Sequence, residues 1–342
     1  MSIIRKIVYP ISFLYGEVTR IRNVLYDKGI LKSTQFEIPV IVVGNLSVGG
    51  TGKTPQIEYL IRQLNKNYKI AVLSRGYKRK SKDFIIANDT SNALQIGDEP
   101  YQYFKKFSDV TIAVDVNRVN GITQLNALEN SPEIILLDDA YQHRKVNSAF
   151  NILLTSFNDL YIDDEVLPTG NLRERVAGAE RAQIIIVTKC PPELSKEKQH
   201  EITSKLKPTV SQTVFFTTIE YSDVVRNNRK EITVEELKKY QVLLITGIAK
   251  PKPLVAFLKS KSIDFEHLQF PDHHHFSKKD ISNIKSKFDA ITSDHKIIVT
   301  TEKDYVRLND ELEVAYLEIK TRFIEHAQDF DKKVVNYIKR VL

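Results

Sequence analysis

The 342-residue chain has no tryptophan, one methionine and one cysteine, Cys190. A single thiol permits no internal disulfide, so noncovalent packing must hold the fold, and the composition suits a reducing compartment. No apolar run of about eighteen residues occurs, so no segment qualifies by sequence as a bilayer-spanning helix. No short apolar core is followed by a small-residue cleavage site, which argues against a secretory signal. Blocks of five or more like charges, internal repeats and low-complexity linkers are also missing, so a charged tail or a solenoid is not expected. The net charge of +7 admits phosphorylated small molecules, anionic lipids or nucleic acid, and does not choose among them. What is present is an ordinary globular composition, 42% hydrophobic and 27% charged, in a chain long enough for two domains with separate cores.

The most informative segment is GNLSVGGTGKTP at 44–55. It follows an apolar run that reads as a buried strand and precedes apolar residues at helical spacing, Ile57, Leu60, Ile61 and Leu64. Gly49, Gly50, Thr51 and Gly52 then form a turn whose backbone N–H groups converge on phosphates without Cβ clashes, opening a helix whose N-terminus favours anions. Lys53 is placed to reach the outer phosphates of a nucleotide, Thr54 to offer its hydroxyl to Mg²⁺, and Pro55 to open the helix. The strict pattern has glycine where Ser47 stands, and partition-type ATPases carry a signature lysine where this chain has Val48.

Apolar runs at 38–43, 69–73, 110–114, 134–137, 150–154 and 183–187 alternate with helical patterns, which indicates a parallel sheet covered by helices on both faces. Ligands gather at the carboxyl ends of such strands. A second α/β unit is expected from strands at 242–246 and 296–300 with helices at 253–261 and 277–288. Extended segments at 213–221 and 313–319 suggest a two-stranded hinge, and a last helix at 324–342 would return to the first unit. The expected fold is therefore a P-loop-containing nucleoside triphosphate hydrolase-like parallel sheet domain with a smaller α/β second domain. Its divisions are 1–30, a membrane-associating helix; 31–212, the core; 213–224 with 312–320, the hinge; 225–311, the second domain; and 321–342, the returning helix.

Asp138 and Asp139 end the 134–137 strand, where carboxylates can serve Mg²⁺ opposite Lys53 and Thr54. Gln142 and His143 follow closely enough to face the same cleft. Asp98, in Gly97-Asp98-Glu99-Pro100, has the character of a general base for an acceptor hydroxyl, and equally that of a helix cap. His273, His274 and His275 stand in succession; adjacent histidines diverge and no His-x-x-x-His pair accompanies them, so pairing with an acidic base competes with zinc binding. Arg173, Glu174 and Arg175 follow Asn171 in a glycine-containing loop suited to phosphate contact, or to simple solvation. Ser74-Arg75-Gly76-Tyr77 allows the same two readings, and Thr188-Lys189 ends a strand where nucleotide bases often dock. Spacing alone assigns no chemistry to Asn117 or Arg118.

Past Pro10, Leu14, Val18, Ile21 and Leu25 repeat on one helical face, with Ile11, Phe13 and Tyr15 adding apolar bulk and Arg5, Lys6, Arg20 and Arg22 adding charge. This pattern fits a helix lying in a membrane surface, and equally one packed on its own domain.

Together, GNLSVGGTGKTP at 44, SRGYKRK at 74, GDEP at 97, DDAYQH at 138, PTGNLRE at 168, FPDHH at 270 and TTEKD at 300 resemble the tetraacyldisaccharide 4'-kinase family, the lipid A 4'-kinases, over most of the chain and in the family's order. The resemblance implies transfer of the ATP γ-phosphate to the 4'-hydroxyl of an acylated glucosamine disaccharide 1-phosphate at the cytoplasmic face of the inner membrane. It implies ATP and Mg²⁺ as cofactors, a membrane surface but no nucleic acid as partner, and a monomer. It assigns Asp98 as the catalytic base with His273 or His274 assisting, and Lys53, Thr54, Asp138 and Asp139 as phosphate and metal contacts. Arg118, Gln142, His143, Asn171, Arg173 and Glu174 would line the substrate site. Ala140-Tyr141 replaces the family's Gly-Phe, and Lys78 its glycine after Ser-Arg-Gly-Tyr. The competing expectation is a membrane-associated, ATP-gated assembly or partition factor; Val48 weakens it and Asp98 favours the kinase.

Overall fold

The computed structural model describes residues 3–77, 79, 81–148, 150–227, 230–309 and 311–342, with side chains from residue 8 onward. Lys78, Arg5 and Lys6, singled out above, lie outside the described side chains. The first helix, α1 (Ile3–Asp27), runs through Pro10. Next come β1 (Val40–Asn45), α2 (Lys53–Leu64), β2 (Ile70–Ser74), β3 (Ile85–Ile86), α3 (Ala93–Ile96), α4 (Asp98–Lys106), β4 (Thr111–Val114), α5 (Arg118–Asn126) and β5 (Ile134–Asp138). They are followed by β6 (Phe150–Ser156), β7 (Ile184–Thr188), α6 (Lys196–Leu206), β8 (Thr213–Arg226) and β9 (Glu231–Thr233). The chain ends with β10 (Gln241–Thr246), α7 (Lys252–Ser260), β11 (Phe265–Gln269), α8 (Lys278–Asp289), β12 (Lys296–Thr301), α9 (Glu302–Leu308), β13 (Ala315–Phe323) and α10 (Ala327–Val341).

In the first unit the strand order is β3-β4-β2-β5-β1-β6-β7-β8, parallel except where β3 meets β4. β1, β2, β5 and β7 are buried at every position, because both faces of the sheet are covered. Alternate residues feed two cores: Val40, Val42, Leu73 and Leu137 on one face, Ile41, Val43, Val72 and Leu136 on the other. α10 returns to the second face with Phe330, Val334 and Ile338, and the Tyr337 hydroxyl donates to the Val40 carbonyl at 3.2 Å.

The second unit has the order β11-β10-β12-β13, all parallel. β11 was not among the expected strands; its residues are only partly buried, as befits an edge. The long strand β8 pairs parallel with β7 through Thr213–Phe216 and antiparallel with β13 from Thr217 to Arg226, so one strand belongs to both units. The linking segment is thus a ladder continuous with the sheet, in which Phe215 and Phe216 are core residues, and it extends past the 224 and 320 limits set from sequence.

α4 and α9 pack against each other across the junction. At one end the Arg307 Nε donates to Asp98 Oδ1 at 3.1 Å, and at the other the Lys106 Nζ lies 2.7 Å from Glu302 Oε1. The two short helices therefore run antiparallel, each with its acid near the N-terminus and its base near the C-terminus, the sense that helix dipoles favour.

Candidate active site

The strand β1 ends at Asn45 and the chain turns through Gly49 (φ 114°) and Gly52 (φ 88°) before α2 begins at Lys53. Those positive φ values need glycine. Gly44 is required for a different reason: a Cβ there would come 2.7 Å from Cβ of Tyr141. The turn is braced from several sides. Thr188 Oγ1 donates to the Thr51 carbonyl at 2.7 Å, and the Lys189 ammonium donates to the Gly50 carbonyl. Thr188-Lys189 is therefore engaged with the phosphate loop's own backbone. The Val48 N–H donates to the Asn171 carbonyl at 2.7 Å and the Arg173 N–H to Leu46 O at 2.7 Å, which ties the 168–175 loop alongside.

The Lys53 ammonium lies 3.5 Å from Asp139 Oδ1 and donates to Asn45 Oδ1 at 3.3 Å. Asp139, with φ 49°, is gripped by two Arg173 nitrogens, Nη1 at 2.9 Å and Nη2 at 3.2 Å. Although burial opposes its charge, Lys53 and Arg173 hold the Asp139 carboxyl below the usual range. Asp138 behaves in the opposite way. It is buried, its Oδ1 has no partner, and Ser74 Oγ donates to its Oδ2 at 3.4 Å. Burial, with Asp139 adjacent, pushes its carboxyl up to about 7. A buried carboxylate with an orphaned oxygen at the end of β5, and the Thr54 hydroxyl in the first turn of α2 after the neighbouring β1, are hard-oxygen donors of the kind that fits Mg²⁺, whereas both oxygens of Asp139 are spent on cations. Among the described residues no group of three or more His, Cys, Asp or Glu side chains is placed to hold a metal ion, the 273–275 run included.

Asp98 is the first residue of α4, and its side chain makes no capping bond; the cap position is Gly97. The carboxylate instead faces the second unit. His273, with φ 56°, brings Nδ1 to 3.2 Å from Asp98 Oδ2, and Arg307 clamps both carboxylate oxygens through Nε and Nη2. Burial raises the Asp98 carboxyl, but the hydrogen bond from His273 and the Arg307 cation outweigh it and leave the group well below the carboxylate range. Lys303 Nζ stands 3.0 Å from His273 Nε2 and 2.9 Å from Glu99 Oε1. Of the two histidines weighed from sequence, only His273 meets Asp98. His274 Nε2 lies 3.1 Å from Asp280 Oδ2 and its ring stacks on Phe270, which makes it part of the start of α8.

Arg118 is buried at 1% exposure, donates to the Asp115 and Asp138 carbonyls, and leaves Nε unpartnered; burial lowers its guanidinium to about 10. Burial, together with Arg118 and Arg75, lowers His143 to about 4, so the ring is neutral. Gln142 Nε2 donates to Asn45 O at 3.0 Å and to Glu174 Oε1 at 3.0 Å. Glu174 is buried with both oxygens taken, by Arg181, Gln142 and Asn23, so it supports the cleft rather than lining it. Asn171 acts through its backbone while its side chain is exposed. Sequence reasoning gave no role to Lys303 or Arg307; the only signal was TTEKD, without a reason for a charged helix to face inward.

A family model described as tetraacyldisaccharide-1-P 4'-kinase matches residues 4–339. A tetraacyldisaccharide 4'-kinase of Flavobacterium johnsoniae is 56% identical, covering 100% of this chain and 99% of that protein. One of Bacteroides thetaiotaomicron is 44% identical, covering 98% of this chain and 94% of that protein. Among solved structures, LpxK of Aquifex aeolicus in an "apo" form in complex with ATP is similar with a TM-score of 0.79 and 31% identity, covering 98% of this chain and 99% of that one.

Proposed function

The chain belongs to the tetraacyldisaccharide-1-P 4'-kinase family, and from that membership we propose that it transfers the γ-phosphate of ATP to the 4'-hydroxyl of tetraacyldisaccharide 1-phosphate, forming lipid IVA in lipid A biosynthesis. The backbone N–H groups of Gly49 to Thr54 and the Lys53 ammonium would hold the triphosphate, with Thr54 and Asp138 as ligands to Mg²⁺. The ion, when bound, neutralises charge on the phosphate oxygens. The acceptor hydroxyl oxygen bonds to the γ-phosphorus as the bond to the ADP oxygen breaks, and the hydroxyl proton passes to the Asp98–His273 pair.

The observation that carries this reading is the meeting at 3.2 Å of Asp98 from one unit with His273 from the other, away from the carboxylates that neighbour Lys53. A metal ligand and a proton acceptor need different surroundings, and two acidic centres of opposite character supply them. Arg118, Gln142, His143 and Arg173 line the cleft between those centres in this assignment. The partition-factor alternative is not favoured, because full-length relatives are named as kinases.

The substrate's acyl chains require a lipid surface. α1 supports peripheral attachment there, at the cytoplasmic face of the inner membrane: Leu14, Val18 and Ile21 are 65%, 58% and 57% exposed, while its polar side is turned inward. No helix among the described residues is long and apolar enough to cross a membrane.

The test is purified protein with γ-labelled ATP and the disaccharide lipid, with hydrolysis measured in parallel. Label should move to the lipid in the wild type and not in Lys53→Ala, at unchanged melting temperature. Hydrolysis that ignores the acceptor, with no labelled lipid, would overturn the kinase reading.

A further inference from the structure

The functional reading leaves two cations at the proton acceptor without a role. Lys303 and Arg307 are one helical turn apart on α9, so both side chains leave the same face and meet Asp98, Glu99 and His273. That face is rigidly placed. Thr301 caps the helix by accepting from the Asp304 N–H at 3.2 Å, and the buried Asp304 accepts from the Gly247 N–H at 2.8 Å. The carbonyl of the same Gly247 accepts from the His273 N–H at 3.0 Å, so α9 and the histidine are fixed to a common point.

The donors and acceptors admit one assignment. An ammonium only donates, so Lys303 at 3.0 Å requires His273 Nε2 to be an acceptor. A neutral imidazole with Nε2 unprotonated carries its hydrogen on Nδ1, which then donates to Asp98 Oδ2 at 3.2 Å. Arg307 Nη2 sits 3.1 Å from Nδ1, but a guanidinium has no acceptor, so it directs its hydrogens to the Asp98 carboxylate that both groups share. Glu99, 2.9 Å from Lys303, pairs with that ammonium and keeps it beside Nε2.

We propose that Lys303 is a positioning residue for phosphoryl transfer: by donating to Nε2 it holds His273 as the Nδ1–H tautomer, hydrogen-bonded to an Asp98 that Arg307 keeps in register. This rests on the reading of Asp98–His273 as the proton acceptor. With the ring so oriented, the imidazole's single lone pair is on Nε2, the nitrogen turned from Asp98, where the Lys303 ammonium occupies it at rest; the ammonium yields it to the acceptor hydroxyl while keeping Glu99, and the dyad receives the hydroxyl proton at one defined atom. Without the ammonium, the ring is free to turn its hydrogen to Nε2, and the proton has no acceptor on that nitrogen.

The experiment uses the full chain with ¹⁵N-labelled histidine, the His273 signals being assigned by their loss in His273→Asn. In wild-type protein at neutral pH, Nδ1 should report as protonated and Nε2 as a hydrogen-bonded acceptor; a wild-type Nε2–H tautomer would overturn the proposal whatever the variants do. In Lys303→Met the Nε2–H tautomer should appear, and kcat should fall about tenfold to a hundredfold with both KM values within about threefold of wild type. Lys303→Arg, which keeps a cationic donor, should restore most of kcat. Raised KM with unchanged kcat in Lys303→Met would make Lys303 a substrate contact and refute the positioning role. The ring-nitrogen measurement needs no turnover, so a protein that fails to phosphorylate the lipid would sink the functional reading while leaving the tautomer result to be judged separately.

Discussion

At the scale of single residues, Asp98 has to satisfy two demands that pull apart. Ionised, it is held by Arg307 and His273; as a proton acceptor it must release part of that grip, and a carboxyl far below its ordinary range is a weak base on its own. The pairing with His273 supplies the second acceptor. Asp98→Asn keeps the shape and can still accept from Arg307, but removes the charge opposite a guanidinium whose side chain is only 6% exposed. Phosphoryl transfer should therefore drop by about 10²- to 10⁴-fold, with Mg·ATP affinity by calorimetry within a few-fold of wild type, since the described hydrogen-bond partners of the Asp98 carboxylate, His273 and Arg307, both belong to the second unit and not to the phosphate loop. Unchanged turnover would remove Asp98 from the chemistry. Stability has its own signature. An acid whose folded value lies below its unfolded value of 3.8 stabilises the fold above that value and loses the contribution as pH falls through the folded one. The wild-type advantage over Asp98→Asn in melting temperature should thus be flat from about pH 5 upward and shrink only in stronger acid. A difference that instead changed between pH 6 and 8 would mean another group carries it.

At the scale of elements, α4 and α9 are the bridge between the units, and the end remote from Asp98 is a buried charge cluster. Lys106 meets Glu58 at 2.7 Å, Glu302 at 2.7 Å and Glu318 at 2.8 Å, while Arg62 donates to Glu58 at 3.0 Å and to Glu318 at 2.7 Å. Glu318 is also reached by Arg226 at 3.9 Å and Lys320 at 3.8 Å, and Glu58 by both Arg62 and Lys106, so Glu302, paired with Lys106 alone among the described residues, is the least compensated. Burial and the neighbouring Glu58 raise the Glu302 carboxyl above its usual value of 4.5, against the pull of Lys106. A raised folded value means stabilisation that is complete below the unfolded value and is lost as pH rises through the folded one. Glu302→Gln should therefore melt close to wild type near pH 5 and above it at pH 8.5, each ~1 kcal/mol appearing as roughly 2–4 °C; a variant less stable than wild type at both values would show that the charge is needed. None of this was legible in the sequence, and the reason is separation along the chain. The phosphate loop is a local object, glycines between one strand and one helix, and local pattern suffices to find it. Asp98 meets His273, Arg307 and Lys106 meets Glu302 across 175, 209 and 196 residues. A lysine and an arginine one turn apart on a seven-residue helix look like a solvated face until the opposing helix is in place. The same limit hid β11, in which Glu266, His267 and Gln269 interrupt any apolar run and whose strand character comes from pairing with β10.

For the whole molecule, the telling feature is that α1 is docked the wrong way round for a soluble protein. Its polar side faces the core: Ser12 Oγ donates to Thr169 Oγ1 at 2.7 Å, Tyr15 OH to the Arg173 carbonyl at 3.1 Å, Arg22 to the Gln142 carbonyl at 3.0 Å, and Asn23 to Glu174 at 2.6 Å. Every one of those partners lies in the loops around Asp139, so the helix that would meet the lipid also braces the cleft, and Ile11, Phe13, Leu14, Val18 and Ile21 are left as an outward apolar face. A contiguous apolar face of this kind on a water-soluble surface marks an interaction site. Deleting α1 would confound two effects, because it would strip Glu174 and Arg173 of partners as well as removing the face. The cleaner variant is the triple Leu14→Gln, Val18→Gln, Ile21→Gln, which leaves every inward contact in place. Full burial of each side chain contributes about 1.5–3 kcal/mol, and even half of the lower figure for each of the three predicts a loss of more than tenfold in partition to anionic vesicles, read by co-sedimentation at fixed ionic strength. The melting temperature should stay the same, since these side chains touch no core cluster. Undiminished vesicle binding in the triple variant would move the membrane contact to another surface and leave the exposed face of α1 without a lipid role.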